Sequence, residues 1–191
     1  MNNRATNKAT KGTASGAANC AARNPATRDI LVAGVGNIFL GDDAFGVEVV
    51  QRLARRSLPE NVQVGDFGIR SYDLAYALME PWELVILVDA VPLGDEPGTV
   101  YTIEPELPQS TDLLDESAFD AHTMNPVSVL QLVAKLGGKV GRMILVGCEP
   151  ASTDTEENFQ VGLSDPVQAA VDEAIRTIEE LIARSTKSTA A

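Results

Sequence analysis

Residues 29–43, DILVAGVGNIFLGDD, contain the first strand, turn and helix start that can be recognised in the sequence. The first part of this stretch, Ile30–Val35, is a continuous apolar run, which is typical of a parallel strand buried on both faces. A tight turn follows, because Gly34 and Gly36 permit a close approach of the backbone. The apolar side chains after the two final acids recur at helical spacing. The stretch therefore predicts a strand, a tight turn and a helix.

Strand and helix patterns alternate along the rest of the chain. We predict strands at 30–35, 62–67, 84–88, 98–103 and 142–147, and helices at 44–56, 74–78, 127–136 and 164–183. The loop before the fourth strand is too short for a crossover helix, so that strand should be antiparallel to its neighbour. The alternation predicts a three-layer α/β/α sandwich.

The composition indicates one domain with an aliphatic core, since 45% of the 191 residues are hydrophobic and only 5% are aromatic. We place this domain at residues 29–184. Residues 1–28 have few large apolar side chains, so we expect a disordered N-terminal extension. We expect a flexible C-terminal tail at residues 185–191.

The net charge is −12. Residues 1–28 have five basic side chains and no acid, so the remaining residues hold the other 10 basic and all 27 acidic side chains. A body this acidic repels phosphate backbones, which argues against a nucleic-acid partner. No apolar run reaches the roughly 18 residues of a membrane span, and the N-terminus lacks the apolar part of a secretory signal.

The two cysteines, Cys20 and Cys148, lie far apart in sequence and form no CxxC pair. We interpret them as free thiols in a reducing compartment, and we expect a cytoplasmic protein.

Three candidate metal ligands lie at predicted loop tips. Asp43 follows the glycine turn, Asp89 ends the apolar run of the third strand, and His122 is the only histidine. Open α/β sheets bind ligands at the carboxyl ends of their strands. Two carboxylates and one imidazole suit a divalent transition metal. Asp43 and Asp89 should share one edge if the first and third strands are neighbours.

Other functions of these residues remain open. Asp42 and Asp43 both precede a helix, where a carboxylate can cap free N–H groups, so we assign the cap to Asp42 and the metal to Asp43. Gly34-Val35-Gly36, between a strand and a helix, also suggests a dinucleotide-binding turn. In that case Asp66, at the end of the second strand, could bind the ribose. The dinucleotide motif GxGxxG is incomplete, however, because its third glycine would fall at Phe39.

Several segments, in order, resemble the hydrogenase maturation proteases, which are nickel-dependent endopeptidases. The segments are Gly34-Val35-Gly36-Asn37, Gly41-Asp42-Asp43-Ala44-Phe45-Gly46-Val47, Asp66-Phe67-Gly68, Val88-Asp89-Ala90, Pro97-Gly98-Thr99, Ala121-His122, Val146-Gly147 and Gly162-Leu163-Ser164. The resemblance extends from about residue 29 to 184.

The resemblance implies a twisted, mostly parallel five-stranded sheet with helices on both faces. It implies that Asp43, Asp89 and His122 bind the metal, although many members have glutamate at the position of Asp43. It also implies that Asp66 and Gly68 line the substrate cleft. The substrate would be the large-subunit precursor of a nickel-iron hydrogenase, which brings its own nickel and loses a C-terminal peptide.

Two rival functions remain open. One is a non-catalytic metal- or nucleotide-binding module, and the other is a hydrolase of small substrates on the same sandwich. If a peptide bond is cut, we favour a metal-polarised carbonyl or metal-bound water over a serine or cysteine nucleophile, because no second histidine is available as a base. The catalytic residue itself is not identified.

Overall fold

The computed structural model describes residues 30–105, 126–151 and 161–188. Five strands and four helices occupy these ranges, with a 3₁₀ turn at Gly41–Ala44. The strands are β1 Ile30–Val35, β2 Val62–Gly68, β3 Leu84–Ala90, β4 Val100–Ile103 and β5 Arg142–Cys148. The helices are α1 Phe45–Leu53, α2 Ser71–Leu78, α3 Pro126–Lys135 and α4 Asp165–Ser188.

The strands form one sheet in the order β2-β1-β3-β5-β4. The pairs β2–β1, β1–β3 and β3–β5 are parallel. Only β4 is antiparallel to its neighbour β5. The predicted mostly parallel sheet with one antiparallel strand is confirmed. The first and third strands are neighbours, which is the condition under which Asp43 and Asp89 share one edge.

Two apolar cores lie on opposite faces of the sheet. Alternate residues of the central strands point to each face, as in Ile30 and Val32 on one side and Leu31 and Ala33 on the other. Helices α1 and α4 cover the first face, and α2 and α3 cover the second. The three-layer α/β/α sandwich is therefore confirmed. It follows from strands whose apolar residues face both sides.

Some element boundaries differ from those predicted. The fourth strand begins at Val100 because Gly98, with φ +87°, lies in a turn. The third strand continues to Ala90, so Asp89 is the second-last residue of the strand and does not lie in the loop after it. The last helix continues to Ser188, so residues 185–188 are helical rather than part of a tail.

The structure does not describe every predicted feature. The N-terminal extension at residues 1–28, Cys20 and His122 lie outside the described ranges. Within the ranges that are described, no helix combines the length and apolar character needed to cross a bilayer.

Candidate metal site at the carboxyl edge of the sheet

The loop after β1 presents Asp43 at the carboxyl edge of the sheet. The side-chain oxygen of Asn37 accepts the N–H of Phe39 at 3.0 Å, and its carbonyl accepts the N–H of Leu40 at 3.1 Å. The Asp43 carboxylate accepts the N–H of Asn37 at 2.5 Å. Gly36 has φ +123°, and a β-carbon there would collide with the carbonyl of Asp43. This turn therefore holds the carboxylate in one place.

Asp89 lies at the end of β3, beside β1, and its side chain is only 7% exposed. One of its oxygens accepts the N–H of Ala90 at 2.8 Å. The 3₁₀ turn that contains Asp43 packs against β3. The two acids, which are 46 positions apart in sequence, thus come to the same edge of the sheet.

Both carboxylates have raised pKa values. The pKa of Asp89 is raised to about 8, mainly by burial and also by the charge of Asp43, while the N–H of Ala90 opposes the rise. Burial also raises the pKa of Asp43, and the N–H of Asn37 partly opposes this rise. These directions are expected when two acids share a poorly solvated pocket with few donors.

A divalent cation suits this pair, because its charge would offset both carboxylates at once. Within residues 30–105, 126–151 and 161–188, no three histidine, cysteine or acidic side chains form a metal-binding group. The structure thus brings together Asp43 and Asp89, while the third predicted ligand, His122, is not described. A pair of oxygen ligands leaves coordination positions open for further ligands.

Asp42 lies next to Asp43 in sequence, but its carboxylate is bound within the protein. Its side chain is only 4% exposed. It accepts hydrogen bonds from the backbone N–H groups of Ala151 and Ser164, at 2.8 and 2.7 Å, and from the Ser164 hydroxyl at 2.9 Å. Neither the 3₁₀ turn nor α1 has a side-chain cap. The helix cap predicted for Asp42 is therefore wrong, because donors distant in sequence occupy its carboxylate.

The two predicted substrate-binding residues lie at the end of β2. The pairing register shifts between Gly34 and Val35, which leaves an extra residue on β2 at Phe67. Asp66 is exposed and accepts a hydrogen bond from Gln51 at 3.0 Å. The carbonyl of Gly68 accepts the N–H of Gly36 at 3.1 Å. This bond joins the Asp66–Gly68 segment to the turn that holds Asp43.

Gly34 serves a different purpose from Gly36, since its φ is not positive. A β-carbon on Gly34 would collide with the carbonyl of Gly46 and with the side chain of Val50. Glycine at this position therefore allows α1 to pack closely on β1, directly behind the site.

Glu149, which is not among the residues predicted from the sequence, is a buried acid directly after β5. Its carboxylate accepts the Tyr101 hydroxyl at 2.6 Å and the N–H of Leu93 at 2.8 Å. Gly94 also donates its N–H. The Tyr101 hydrogen bond is the main reason why the pKa of Glu149 is lowered. Glu149 could have been predicted from the pattern that identified Asp89, which is an acid at the end of a buried strand.

Cys148 is buried at the end of β5. Burial raises the pKa of its thiol to about 12, and the negative charges of Asp42, Glu149 and Glu173 contribute to the rise. A thiol in this environment stays protonated at neutral pH, whereas a cysteine nucleophile reacts as the thiolate.

Comparisons with known proteins agree with this architecture. A family model for the hydrogenase maturation protease HycI matches residues 47–181. A Methanocaldococcus jannaschii protein named for the same family is 37% identical over 153 residues, which cover 79% of this chain and 94% of that protein.

Solved structures of this group have the same fold. The hydrogenase maturating endopeptidase HybD from E. coli matches with a TM-score of 0.65 and 27% identity, over 82% of this chain and 93% of that one. The NiFe hydrogenase maturation protease HycI from Thermococcus kodakarensis matches with a TM-score of 0.57 and 26% identity, over 83% and 94%. This chain therefore belongs to the hydrogenase maturation protease family and is a peptide-cleaving hydrolase.

Proposed function

We propose that this chain removes a C-terminal peptide from the large-subunit precursor of a nickel-iron hydrogenase after nickel has been inserted. Nickel arrives with the precursor and is recognised by Asp43, Asp89 and His122. The proposed place of action is the cytoplasm. Family membership supports the class of reaction, and the name of the T. kodakarensis relative supports a NiFe hydrogenase as the target.

The buried pair of Asp43 and Asp89 is the observation that most strongly supports metal recognition. Each carboxylate accepts one hydrogen bond from the described part of the chain, and burial raises both pKa values. A precursor-borne cation would displace the Asp89 proton, offset the two carboxylate charges and draw the adjoining polypeptide to this edge. Nickel would supply a Lewis acid there, while the chain's own residues fix its position and exclude water from one side.

Exposed apolar side chains beside the pair support a polypeptide substrate. Ile38 and Phe39 lie in the turn before Asp43, and Phe39 is 55% exposed. Ile69 follows Gly68 and is also exposed. The hydrogen bond from Gly36 to Gly68 joins the two segments that contain these residues. Apolar residues exposed near a site commonly mark a protein contact.

Mass spectrometry of the precursor before and after incubation with this chain tests the proposal. The nickel-loaded precursor should lose a C-terminal peptide, and the metal-free precursor should stay at full length. Alanine at Asp43, Asp89 or His122 should abolish processing while the circular dichroism spectrum is retained. Wild-type processing by His122→Ala would show that the three-ligand account is wrong.

A cleavage assay on short peptides distinguishes the remaining rival function, a hydrolase of small substrates. A hydrolase of small substrates would cleave short peptides equally well with and without nickel.

A further inference from the structure

Asp42 occupies an unusual position for an acid next to a candidate ligand. Both of its carboxylate oxygens are used within the protein: Oδ1 accepts the N–H of Ser164, and Oδ2 accepts the N–H of Ala151 and the Ser164 hydroxyl. Three donors from the protein thus occupy most of the roughly four acceptor sites of this carboxylate. These hydrogen bonds connect three parts of the chain: the turn after β1, the end of β5 and the start of α4.

These partners lie where two other elements meet the carboxyl edge. Ala151 follows the end of β5 by three residues, and Ser164 directly precedes α4. The carbonyl of Ser164 accepts the N–H of Gln168, which is the first hydrogen bond of that helix. Asp42 therefore ties the turn after β1 to both the end of β5 and the start of α4.

A second contact fixes the other side of the same turn. Phe45 is fully buried, and a β-carbon on Gly46 would collide with the carbonyls of Val35 and Val88. Val88 immediately precedes Asp89, so the start of α1 rests on the strand that presents the second ligand. Asp43 lies between this contact and the Asp42 hydrogen bonds. Its backbone is therefore fixed from both sides.

We propose that Asp42 is a positioning residue that holds the Asp43 carboxylate in place against Asp89. Its three hydrogen bonds set the orientation of the 3₁₀ turn, and that turn determines where Asp43 points. The proposed effect on catalysis rests on the proposed function, because it assumes that Asp43 binds the precursor's nickel. The effect on Asp43 itself does not.

The N–H of Asn37 gives a direct measure of the Asp43 position, because it donates to that carboxylate. The main variant is Ser164→Ala, which removes one of the three donors and leaves the charge intact. The matched control is Tyr101→Phe, which removes one hydroxyl donor from the other buried acid, Glu149. Asp42→Asn serves as a second, stronger variant.

In NMR spectra of the full chain, Ser164→Ala should shift the Asn37 amide proton upfield and speed its hydrogen exchange about tenfold. Asp42→Asn should shift it further. Tyr101→Phe should leave this resonance at its wild-type position, even if its melting temperature falls as much as that of Ser164→Ala. An unmoved Asn37 resonance in both Asp42→Asn and Ser164→Ala, or an equal shift in Tyr101→Phe, would overturn the proposal.

Processing of the nickel-loaded precursor tests the link to catalysis. Ser164→Ala should lower kcat for the nickel-loaded precursor several-fold, because the displaced Asp43 carboxylate no longer holds the metal in the productive position. A wild-type kcat together with a shifted Asn37 resonance would overturn this link. If the wild-type chain cleaves no precursor, the proposed function fails, while the Asn37 resonance still decides whether Asp42 positions Asp43.

Discussion

At the scale of single residues, Asp89 and Glu149 show how the surroundings of an acid determine its charge. Each lies at the end of a buried strand, and each is largely buried. Glu149 accepts hydrogen bonds from Tyr101 and two backbone N–H groups, and its pKa is lowered. Asp89 accepts one from the described part of the chain, and its pKa rises to about 8. Burial with few donors thus marks the candidate ligand.

The raised pKa of Asp89 predicts a loss of stability as pH rises. The folded protein keeps a proton that the unfolded chain releases near pH 4, so the free energy of unfolding should fall between about pH 4 and pH 8. Asp89→Asn removes this proton equilibrium, and its unfolding free energy should depend less on pH. At pH 8 the variant should be more stable by an amount on the order of a few kcal/mol.

Denaturant unfolding from pH 5 to pH 8, with a chelator present to exclude metal, measures this effect. Asp165→Asn, at the start of α4, is the control for loss of an acid elsewhere. Equal pH slopes in wild type and Asp89→Asn would contradict the prediction.

The buried thiol of Cys148 should not be required for cleavage. Its thiol is buried and protonated, so Cys148→Ser and Cys148→Ala should process the nickel-loaded precursor within about twofold of the wild-type rate. Iodoacetamide should label the native thiol slowly. Loss of activity in both variants, at wild-type melting temperature, would instead support a thiol mechanism.

At the scale of elements, two glycines control how α1 meets the sheet. A β-carbon on Gly34 would collide with the Gly46 carbonyl, and one on Gly46 would collide with the Val88 carbonyl. These are backbone contacts, so a rotamer change cannot relieve them. Close packing of α1 against β1 and β3 therefore requires glycine at both positions.

Gly46→Ala should lower the free energy of unfolding by about 1–3 kcal/mol, because α1 must move away from the sheet. Gly34→Ala should displace the same helix, so the double variant should lose less stability than the two single variants together. Gly94→Ala adds a methyl group in open space, and its cost comes from a φ of +92°. That cost should add to the cost of Gly46→Ala. Additive losses in Gly34→Ala/Gly46→Ala would refute the shared displacement.

The elements themselves were largely predictable from the sequence. The continuous apolar runs at 30–35 and 84–88 predict buried strands, and the short connection before β4 predicts an antiparallel strand. The function of Asp42 was not predictable, because its donors Ala151 and Ser164 lie more than 100 positions away. Local sequence suggests a helix cap, but tertiary contacts decide the partner of a buried carboxylate.

At the scale of the whole molecule, the sheet order brings separate segments to one edge. Asp43 and Asp89 meet there because β1 pairs with β3. The sequence could identify both acids, since each follows a predicted strand. The burial that raises both pKa values, and the repulsion by Asp43 that further raises that of Asp89, could not be predicted, because they depend on packing between distant segments. His122, the third predicted ligand, remains a prediction.

The apolar side chains at this edge predict where the precursor binds. Replacing Ile38 and Phe39 together by serine should raise KM for nickel-loaded precursor about tenfold and leave kcat nearly unchanged, because both side chains are exposed and about half of their surface is available to a partner. Leu136→Ser, an exposed position after α3 at the opposite edge, is the control. A wild-type KM in the double variant would place the precursor elsewhere.

The strand order leaves room for related proteins to vary at this edge without changing their core. The chain first winds from β1 to β2, then crosses back over β1 to reach β3. Where the winding direction reverses, connecting segments separate and leave a natural crevice. The crevice needs no gap in the core, so residues such as Val32 and Ile86 can remain tightly packed. Insertions in the loops around it could alter which proteins enter, while the interior stays the same.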